Sequence, residues 1–498
     1  MPTGQPRRQP SVVIVGSGFA GIGAAIALRA AGLTDITILE KAAEAGGVWR
    51  DNTYPGAACD IPSALYSYSF APNQRWSRRF APAGEIQAYL KRTAAEHDVY
   101  RSIRFRTEVT AADFAAERGT WLITMADGEQ MEAEVLIWAV GQLSRPHVPD
   151  IAGARQFAGT AFHSARWDHQ CDLTGKSVAV IGTGASTAQI VPAIVSRAGR
   201  LTVFQRSAPY VLPKPDTCYG RYPVPLRRAG QLAERFGFWL LFELFTAAMV
   251  TRLWPLRTMM TFIALGYMRH QVRDPRLRAA LTPGYPMGCK RVLLSNDYLA
   301  ALTRPHVSVV TEPVTEITPG GVRARNGVEY PADVIVYGTG FTATDFLAPV
   351  KITGADGGRL DDAWASGARA YYGMAVPGFP NMFLLYGPGT NLAAGSIIYM
   401  LERQASYIAQ AVRLLADTAP STIGVRPEVA DAYDEQSQVR LAATVWAGCR
   451  SWYTDAAGRV TANWPGLTAE YAWRTRTLEA ADFMIAPAAA TPRAGNGG

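Results

Sequence analysis

Two short β-branched runs, each ending directly in a glycine pair, constrain this chain more than any other feature. Ser11-Val-Val-Ile-Val15 runs into Gly16-Ser-Gly18-Phe-Ala-Gly21, and Ser177-Val-Ala-Val-Ile181 runs into Gly182-Thr-Gly184. A short run that is apolar on both faces reads as a strand buried inside a parallel sheet. Each glycine turn then opens a helical segment and is followed by a second strand. The first of these is Ile36–Leu39, ending at Glu40; the other is Leu201–Phe204, ending at Gln205-Arg206. Strand, glycine turn, helix, strand is a βαβ unit, and this chain carries it twice. The expected fold class is therefore α/β with two Rossmann-like domains.

The spacing of the first motif has a chemical reading. Gly16 allows a tight turn, Gly18 lets backbone approach a pyrophosphate, and Gly21 lets helix and strand pack closely. Phe19 and Ala20 complete the loop. The helix N-terminus offers free N–H groups and a positive dipole end to an anion. Glu40 stands at the end of the second strand, about 20 residues on, where a carboxylate accepts hydrogen bonds from a ribose diol. The second motif keeps Gly182 and Gly184 but has Thr187 at the third position, and Arg206 replaces the ribose carboxylate. An arginine there pairs with a 2′-phosphate that a carboxylate would repel. Two such sites in one chain point to FAD in the first and NADPH in the second.

Two further segments, Glu134–Gly141 and Asp333–Gly340, are strands that run into glycine turns. They suggest that the chain leaves the first domain and later returns to it. The first domain would comprise residues 1–145 and 335–485, with the NADP domain at 155–330 inserted between them. Residues 225–280 read as a helical lobe on that insert, and 486–498 as a low-complexity, disordered tail.

Composition narrows the function classes. The net charge is +8 over 498 residues, with no basic block, zinc-finger spacing or aromatic–basic RNA motif, so nucleic acid is not an expected partner. The five cysteines are far apart and form no CxxC. That argues against a disulfide framework, a thiol-redox pair and a zinc site; no metal is expected, and the cytoplasm is the expected compartment. Val12–Leu28 follows Arg7-Arg8 and superficially resembles an export signal, but its glycine pattern explains it better. Phe236–Val250 is apolar yet contains Glu243 and falls short of the ~20 residues a span needs. It reads as a buried or surface-docking helix, and membrane contact is not expected.

Phe157-Ala-Gly-Thr-Ala-Phe-His163-Ser-Ala-Arg-Trp167-Asp168 fits the FxGxxxHxxxW(P/D) signature of type I Baeyer–Villiger monooxygenases. The resemblance runs from Val12 to about Arg476 and includes Gly46-Gly47-Val48-Trp49-Arg50, Tyr54–Pro62, Tyr66–Phe70, Gly288-Cys-Lys290-Arg291, Gly340-Phe341 and Phe379–Thr390. It implies that NADPH reduces the flavin, that O2 then gives a C4a-peroxyflavin, and that a ketone becomes an ester or lactone.

By motif position, the resemblance makes Arg291 the active-site cation and Asp60 the carboxylate that orients it. It places Trp49 and Tyr66 along the flavin, Gly47, Val48 and Arg50 in the same cofactor set, and Val109 at the adenine. Thr183, Gly184, Ala185, Ser186, Thr187 and Gln189 would line the second pyrophosphate, with Ser207 and Lys290 completing the NADP site and Trp452 near the nicotinamide. His163, in the inter-domain linker, would couple domain rotation to the two half-reactions rather than act as a base. The apolar segments 236–250 and 259–267 either wall the substrate pocket or meet lipid, and Asn391–Tyr399 is the candidate substrate-facing stretch. Two alternatives stay open: an N- or S-oxygenating flavin monooxygenase, and a non-oxygenating NADPH oxidase. The chain would be a monomer or dimer acting on a small ketone and O2.

Overall fold

The computed structural model describes residues 8–219, 224–251, 253–392, 394–418, 421–449, 451–455 and 457–487. Most of the expected tail, from residue 488 onward, lies outside them. The first parallel sheet begins with β1 (Val12–Val15), β2 (Ile36–Glu40), β3 (Ile103–Phe105) and β4 (Val135–Trp138). Between β1 and β2 runs α1 (Phe19–Ala30), an Ala- and Gly-rich helix thin enough to lie close on the sheet. Gly32, at φ +82°, reverses the chain after it, and Leu33 N donates back to Leu28 O at 3.0 Å.

The second parallel sheet comprises β5 (Thr160–His163), β6 (Ser177–Ile181), β7 (Arg200–Phe204), β8 (Val307–Val310) and β9 (Val334–Tyr337), in the order β8-β7-β6-β9-β5. Its glycine turn leads into α2 (Ala185–Ile194). The chain then returns to the first sheet, where β10 (Met382–Leu384) pairs with β4 and completes the order β10-β4-β1-β2-β3. Every pairing in both sheets is parallel.

Three expectations are corrected. A boundary at 335 cuts through β9, because Val334–Tyr337 pairs with β5 and β6 of the second sheet. His163 is not on a linker: it ends β5, opposite Tyr337. The chain is still ordered at 486, because Phe483–Pro487 pairs antiparallel with Ser421–Val425.

The lobe consists of α3 (Val224–Val250), α4 (Trp254–Gln271) and α5 (Pro275–Ala280). The inner face of α3 is anchored. The buried Glu243 carboxylate accepts from Thr468 N at 3.0 Å and from Thr468 Oγ1 at 2.5 Å, at the start of the helix Thr468–Arg474. Ala248 and Met249 pack with Cys289, Trp446 and Tyr453. Among the described residues, no single helix is long and apolar enough to cross a membrane.

Candidate active site

The first glycine turn is built by excluding side chains. Gly16 has φ +104°, and a Cβ there would stand 2.7 Å from the Ala139 carbonyl oxygen. A Cβ on Gly21 would overlap the Gly16 carbonyl oxygen, and Gly18 faces the backbone of Gly47. Two glycine segments thus lie backbone to backbone at the start of α1, whose first N–H groups have no side-chain cap. This cradle fits the pyrophosphate of a dinucleotide. Beside it, the buried Phe19 ring meets Tyr66 edge-on at 5.3 Å, and Trp49 Nε1 donates to Tyr66 Oη at 3.1 Å. Ala20 is buried in the first turn of α1, and Val48 opens the short helix Val48–Asp51.

Glu40 is buried and fully engaged. One oxygen accepts from Ser17 N at 2.9 Å and Ser17 Oγ at 2.7 Å; the other accepts from Ala42 N at 2.9 Å and Arg50 Nη1 at 3.0 Å. Burial alone would raise its pKa, but the Ala42 and Ser17 donors and the Arg50 charge hold it below the ordinary value. A ribose diol at this carboxylate would take the place of a side-chain donor, Ser17 Oγ or Arg50. Thr107 N donates to the Glu40 carbonyl at 2.9 Å, and Val109, two residues after Thr107, is buried at the start of Val109–Ala115.

The second turn is more open. Gly182 has φ +113°, and a Cβ there would overlap the Gly338 carbonyl oxygen, whereas Gly184 has nothing within 4 Å of its Cβ position. Ala185 and Ser186, half-buried, open α2. Thr187 fits without a third glycine because Gly338 lies opposite; a Cβ on Gly338 would overlap Thr187 Oγ1. Thr183 Oγ1 donates to Ser207 O at 3.0 Å, and Lys290 Nζ donates to Ser207 Oγ at 2.9 Å. Burial and the neighbouring charge of Arg206 push Lys290 below its ordinary pKa. Arg206 is exposed and makes no ion pair among the described residues. The cluster fits an incoming phosphate.

Gln189 points away from that cradle. Its Oε1 accepts from Tyr54 Oη at 2.9 Å and Ala58 N at 3.3 Å, and its Nε2 donates to Ala58 O at 2.9 Å. It therefore pins the Tyr54–Asp60 segment against α2. At the end of that segment, Asp60 and Arg291 form a fork: Nη2 reaches Oδ1 and Oδ2 at 2.8 Å each, and Nε reaches Oδ2 at 3.1 Å. Asp60 is the main cause holding the Arg291 pKa above its already high ordinary value, against the effect of burial.

Comparison with known proteins agrees with this geometry. The family model described as pyridine nucleotide-disulphide oxidoreductase matches residues 13–228. A Baeyer-Villiger monooxygenase of Streptomyces coelicolor is 42% identical over 480 residues, covering 95% of this chain and 92% of that protein. The chain belongs to the Baeyer–Villiger monooxygenases. Among solved structures, an oxidized steroid monooxygenase bound to NADP matches with TM-score 0.86 and 30% identity, covering 96% of this chain and 100% of that one. OTEMO in complex with FAD and NADP matches with TM-score 0.86 and 28% identity, covering 97% and 100%.

For a Baeyer–Villiger monooxygenase, the surroundings of Arg291 are as informative as the fork. Tyr453 and Tyr386, fully buried and half-buried, are close enough for their hydroxyls to interact with its charge. Burial pushes Tyr453 up to about 12, with Arg291 pulling the other way. Tyr386 Oη donates to Asn391 Oδ1 at 2.7 Å, and Asn391 Nδ2 donates to Asn463 Oδ1 at 2.6 Å. Trp452 is half-buried, its ring 4.4 Å from that of Tyr453. Lys214 also reaches this region, with Nζ donating to Cys59 O at 3.4 Å. Sequence reasoning gave no role to Tyr386, Tyr453 or Lys214. The available signals were that Tyr386 lies inside the Phe379–Thr390 motif and that Tyr453 follows Trp452.

His163 is buried, its Nδ1 accepting from Ala165 N at 3.1 Å, which leaves the proton on Nε2. Its ring meets Phe341 edge-on at 5.7 Å, and burial lowers its pKa while the Gly340 backbone opposes that. His163 thus sits at the end of β5, packed against the segment by which the chain leaves β9. The cysteine expectation is corrected: Cys289 and Cys449 form a disulfide, and Cys59, Cys171 and Cys218 remain free. The bond ties the Lys290-Arg291 loop to the segment that carries Trp452 and Tyr453. A sequence separation of 160 leaves no local spacing motif for such a pair.

Proposed function

We propose that this chain uses NADPH and O2 to convert a ketone into an ester or lactone, with the Asp60–Arg291 fork as its catalytic centre. One oxygen atom enters the product beside the carbonyl carbon and the other leaves as water; NADPH supplies the two electrons. Bound FAD supplies the redox and oxygen-activating chemistry, and NADPH the hydride. The first glycine cradle, with Trp49 and Tyr66 beside it, holds the flavin cofactor. The second cradle holds NADPH, with Arg206 and Lys290 pairing its 2′-phosphate.

The protein's own contribution is positional and electrostatic. Arg291 stays cationic at every working pH, so it offers a permanent counter-charge to the oxygen that attacks the ketone and to the substrate oxygen that becomes negative. Asp60 fixes the plane of the guanidinium and offsets its desolvation. His163, wedged between Ala165 and Phe341, orients the backbone between the two sheets and moves no proton.

The observation that carries this reading is the fork itself, set between two nucleotide cradles and tied to α2 through Gln189. The test is product analysis under air with the yellow holoenzyme, NADPH, a panel of ketones and one thioether, with peroxide assayed alongside. Esters gaining one oxygen are expected. Arg291→Ala should keep FAD and its reduction by NADPH yet lose about 10²–10³-fold in ester formation. Ester at the wild-type rate would remove Arg291 from the mechanism. Sulfoxide without any ester would assign the chain to heteroatom oxygenation.

A further inference from the structure

The lobe presents an apolar outer face that stays exposed among the described residues. On α3, Leu232, Phe236, Leu240 and Leu244 recur every four residues and all are exposed, Phe236 by 64%. On α4, Trp254, Met259, Phe262 and Ile263 are exposed, Phe262 by 69%. The α4 residues line a shallow depression of about 580 Å³ together with Pro255 and Thr258. Scattered exposed hydrophobics are ordinary, whereas a four-residue repeat along one helix and a cluster on the next mark an interaction surface. The C-terminal half of α3 is held against the body of the enzyme by Glu243, Ala248 and Met249, while the stripe beside these residues stays exposed.

The charges around this face select its occupant. Arg228 is exposed on the first turns of α3, and Arg269, His270, Arg273 and Arg276 are exposed at and beyond the end of α4. Arg269 follows Phe262 by two helical turns, so it continues the same face. Of the described carboxylates of the lobe, Glu234 is paired with Arg79 and Glu243 is buried, which leaves Asp274 as one exposed acid among five exposed basic residues. An apolar stripe of Leu, Phe and Trp bracketed by arginines is the pattern of a helix that lies in a lipid–water interface. A second copy of the chain would set like charges against each other, whereas anionic headgroups pair with them.

We propose that α3 and α4 dock this enzyme peripherally on an anionic phospholipid surface, with the Leu/Phe/Trp face in the headgroup–acyl boundary and the arginines on the phosphates. This departs from the sequence expectation of no membrane contact. It also gives the lobe a purpose that binding of the two cofactors does not require.

The test is co-sedimentation of the FAD-loaded enzyme with phosphatidylcholine vesicles and with mixed phosphatidylcholine–phosphatidylglycerol vesicles. The wild type should pellet with the mixed vesicles at least about tenfold more strongly, and high salt should release it. Trp254→Ser combined with Phe262→Ser should lose about tenfold in binding, since two large apolar side chains leave the lipid, with NADPH oxidation in solution unchanged. Arg269→Gln combined with Arg273→Gln should lose the preference for anionic vesicles. The proposal is overturned if the wild type stays in the supernatant with both vesicles, or if both variants bind as the wild type does. It is equally overturned if light scattering shows a dimer that the Trp254/Phe262 variant dissociates, which would assign the face to a second copy.

Discussion

The two glycine turns solve one packing problem from opposite sides. Where α1 crosses the first sheet, the helix gives way: Gly21 lies so close to its own turn that any Cβ would strike the Gly16 carbonyl, while Ala139 stands on the neighbouring strand exit. Where α2 crosses the second sheet, the helix carries Thr187 and the strand exit gives way at Gly338. The close approach thus requires a small residue at the crossing, and either element can supply it. The electrostatics are opposed as well. Glu40 is buried with four donors of its own, whereas Arg206 is exposed beside Lys290 and makes no ion pair among the described residues. The first strand end is closed by the protein; the second is open to an anion.

The sharpest way to break this comparison is Gly21→Ala. The clash is with backbone, which cannot rotate away, so the expected outcome is loss of FAD-loaded protein on purification. A yellow variant with wild-type thermal stability would show that the first crossing is as loose as the second. Next in size is Arg206→Ala. A charge-assisted pair with a phosphate in partly exposed surroundings is worth about 1–2 kcal/mol, so the KM for NADPH should rise about tenfold with little change for NADH. An equal effect on both nucleotides would mean that the open strand end does not read the phosphate.

What the sequence discloses follows from the range of the interactions. The βαβ units were legible because strand, turn and helix are contiguous, and the buried runs β1 and β6 admit no other reading. Asp60 and Arg291 were legible only through a family motif, since no local pattern links residues 231 apart. The Cys289–Cys449 bond had no motif at all and was missed. Gln189 was read as lining the second cradle because it sits on the right helix, but only the tertiary contact with Tyr54 and Ala58 shows where its amide points. The placement of β9 was misjudged because a buried apolar run does not name the sheet that will receive it. The cysteine correction has a direct check: denatured, unreduced protein should titrate three thiols, and five would refute the bond.

A smaller effect sharpens the packing half of the comparison. Gly338→Ala puts a methyl group onto the Thr187 hydroxyl and should cost about 1–3 kcal/mol, the usual range for overpacking. Thr187→Gly in the same chain removes the obstacle and should recover most of the loss, less about 1 kcal/mol for glycine in a helix. Thermal midpoints of the two single variants and the double variant measure the coupling. If the two changes simply add, Thr187 and Gly338 are not the pair that sets the second crossing.

The smallest effect is a pH dependence confined to the first strand end. Burial works against ionised Glu40, but the Ala42 and Ser17 donors and Arg50 outweigh it, and the folded-state pKa lies below the ordinary 4.5. A carboxylate depressed by folding stabilises the native state above its unfolded pKa, and that contribution fades as pH falls through the folded value. Glu40→Gln should therefore lower the thermal midpoint near neutrality, because an amide sets its own N–H groups against donors. The gap to the wild type should begin to narrow as the pH falls below about 4.5, where the unfolded chain takes up a proton, and should close only below the lower folded value, where native Glu40 itself becomes a donor among donors. Arg206→Ala, at the open strand end, should show no such convergence over that range. Parallel curves for Glu40→Gln and the wild type down to acid would mean that Glu40 is not held ionised by its donors, and the contrast between a closed first site and an open second one would fail at its electrostatic half.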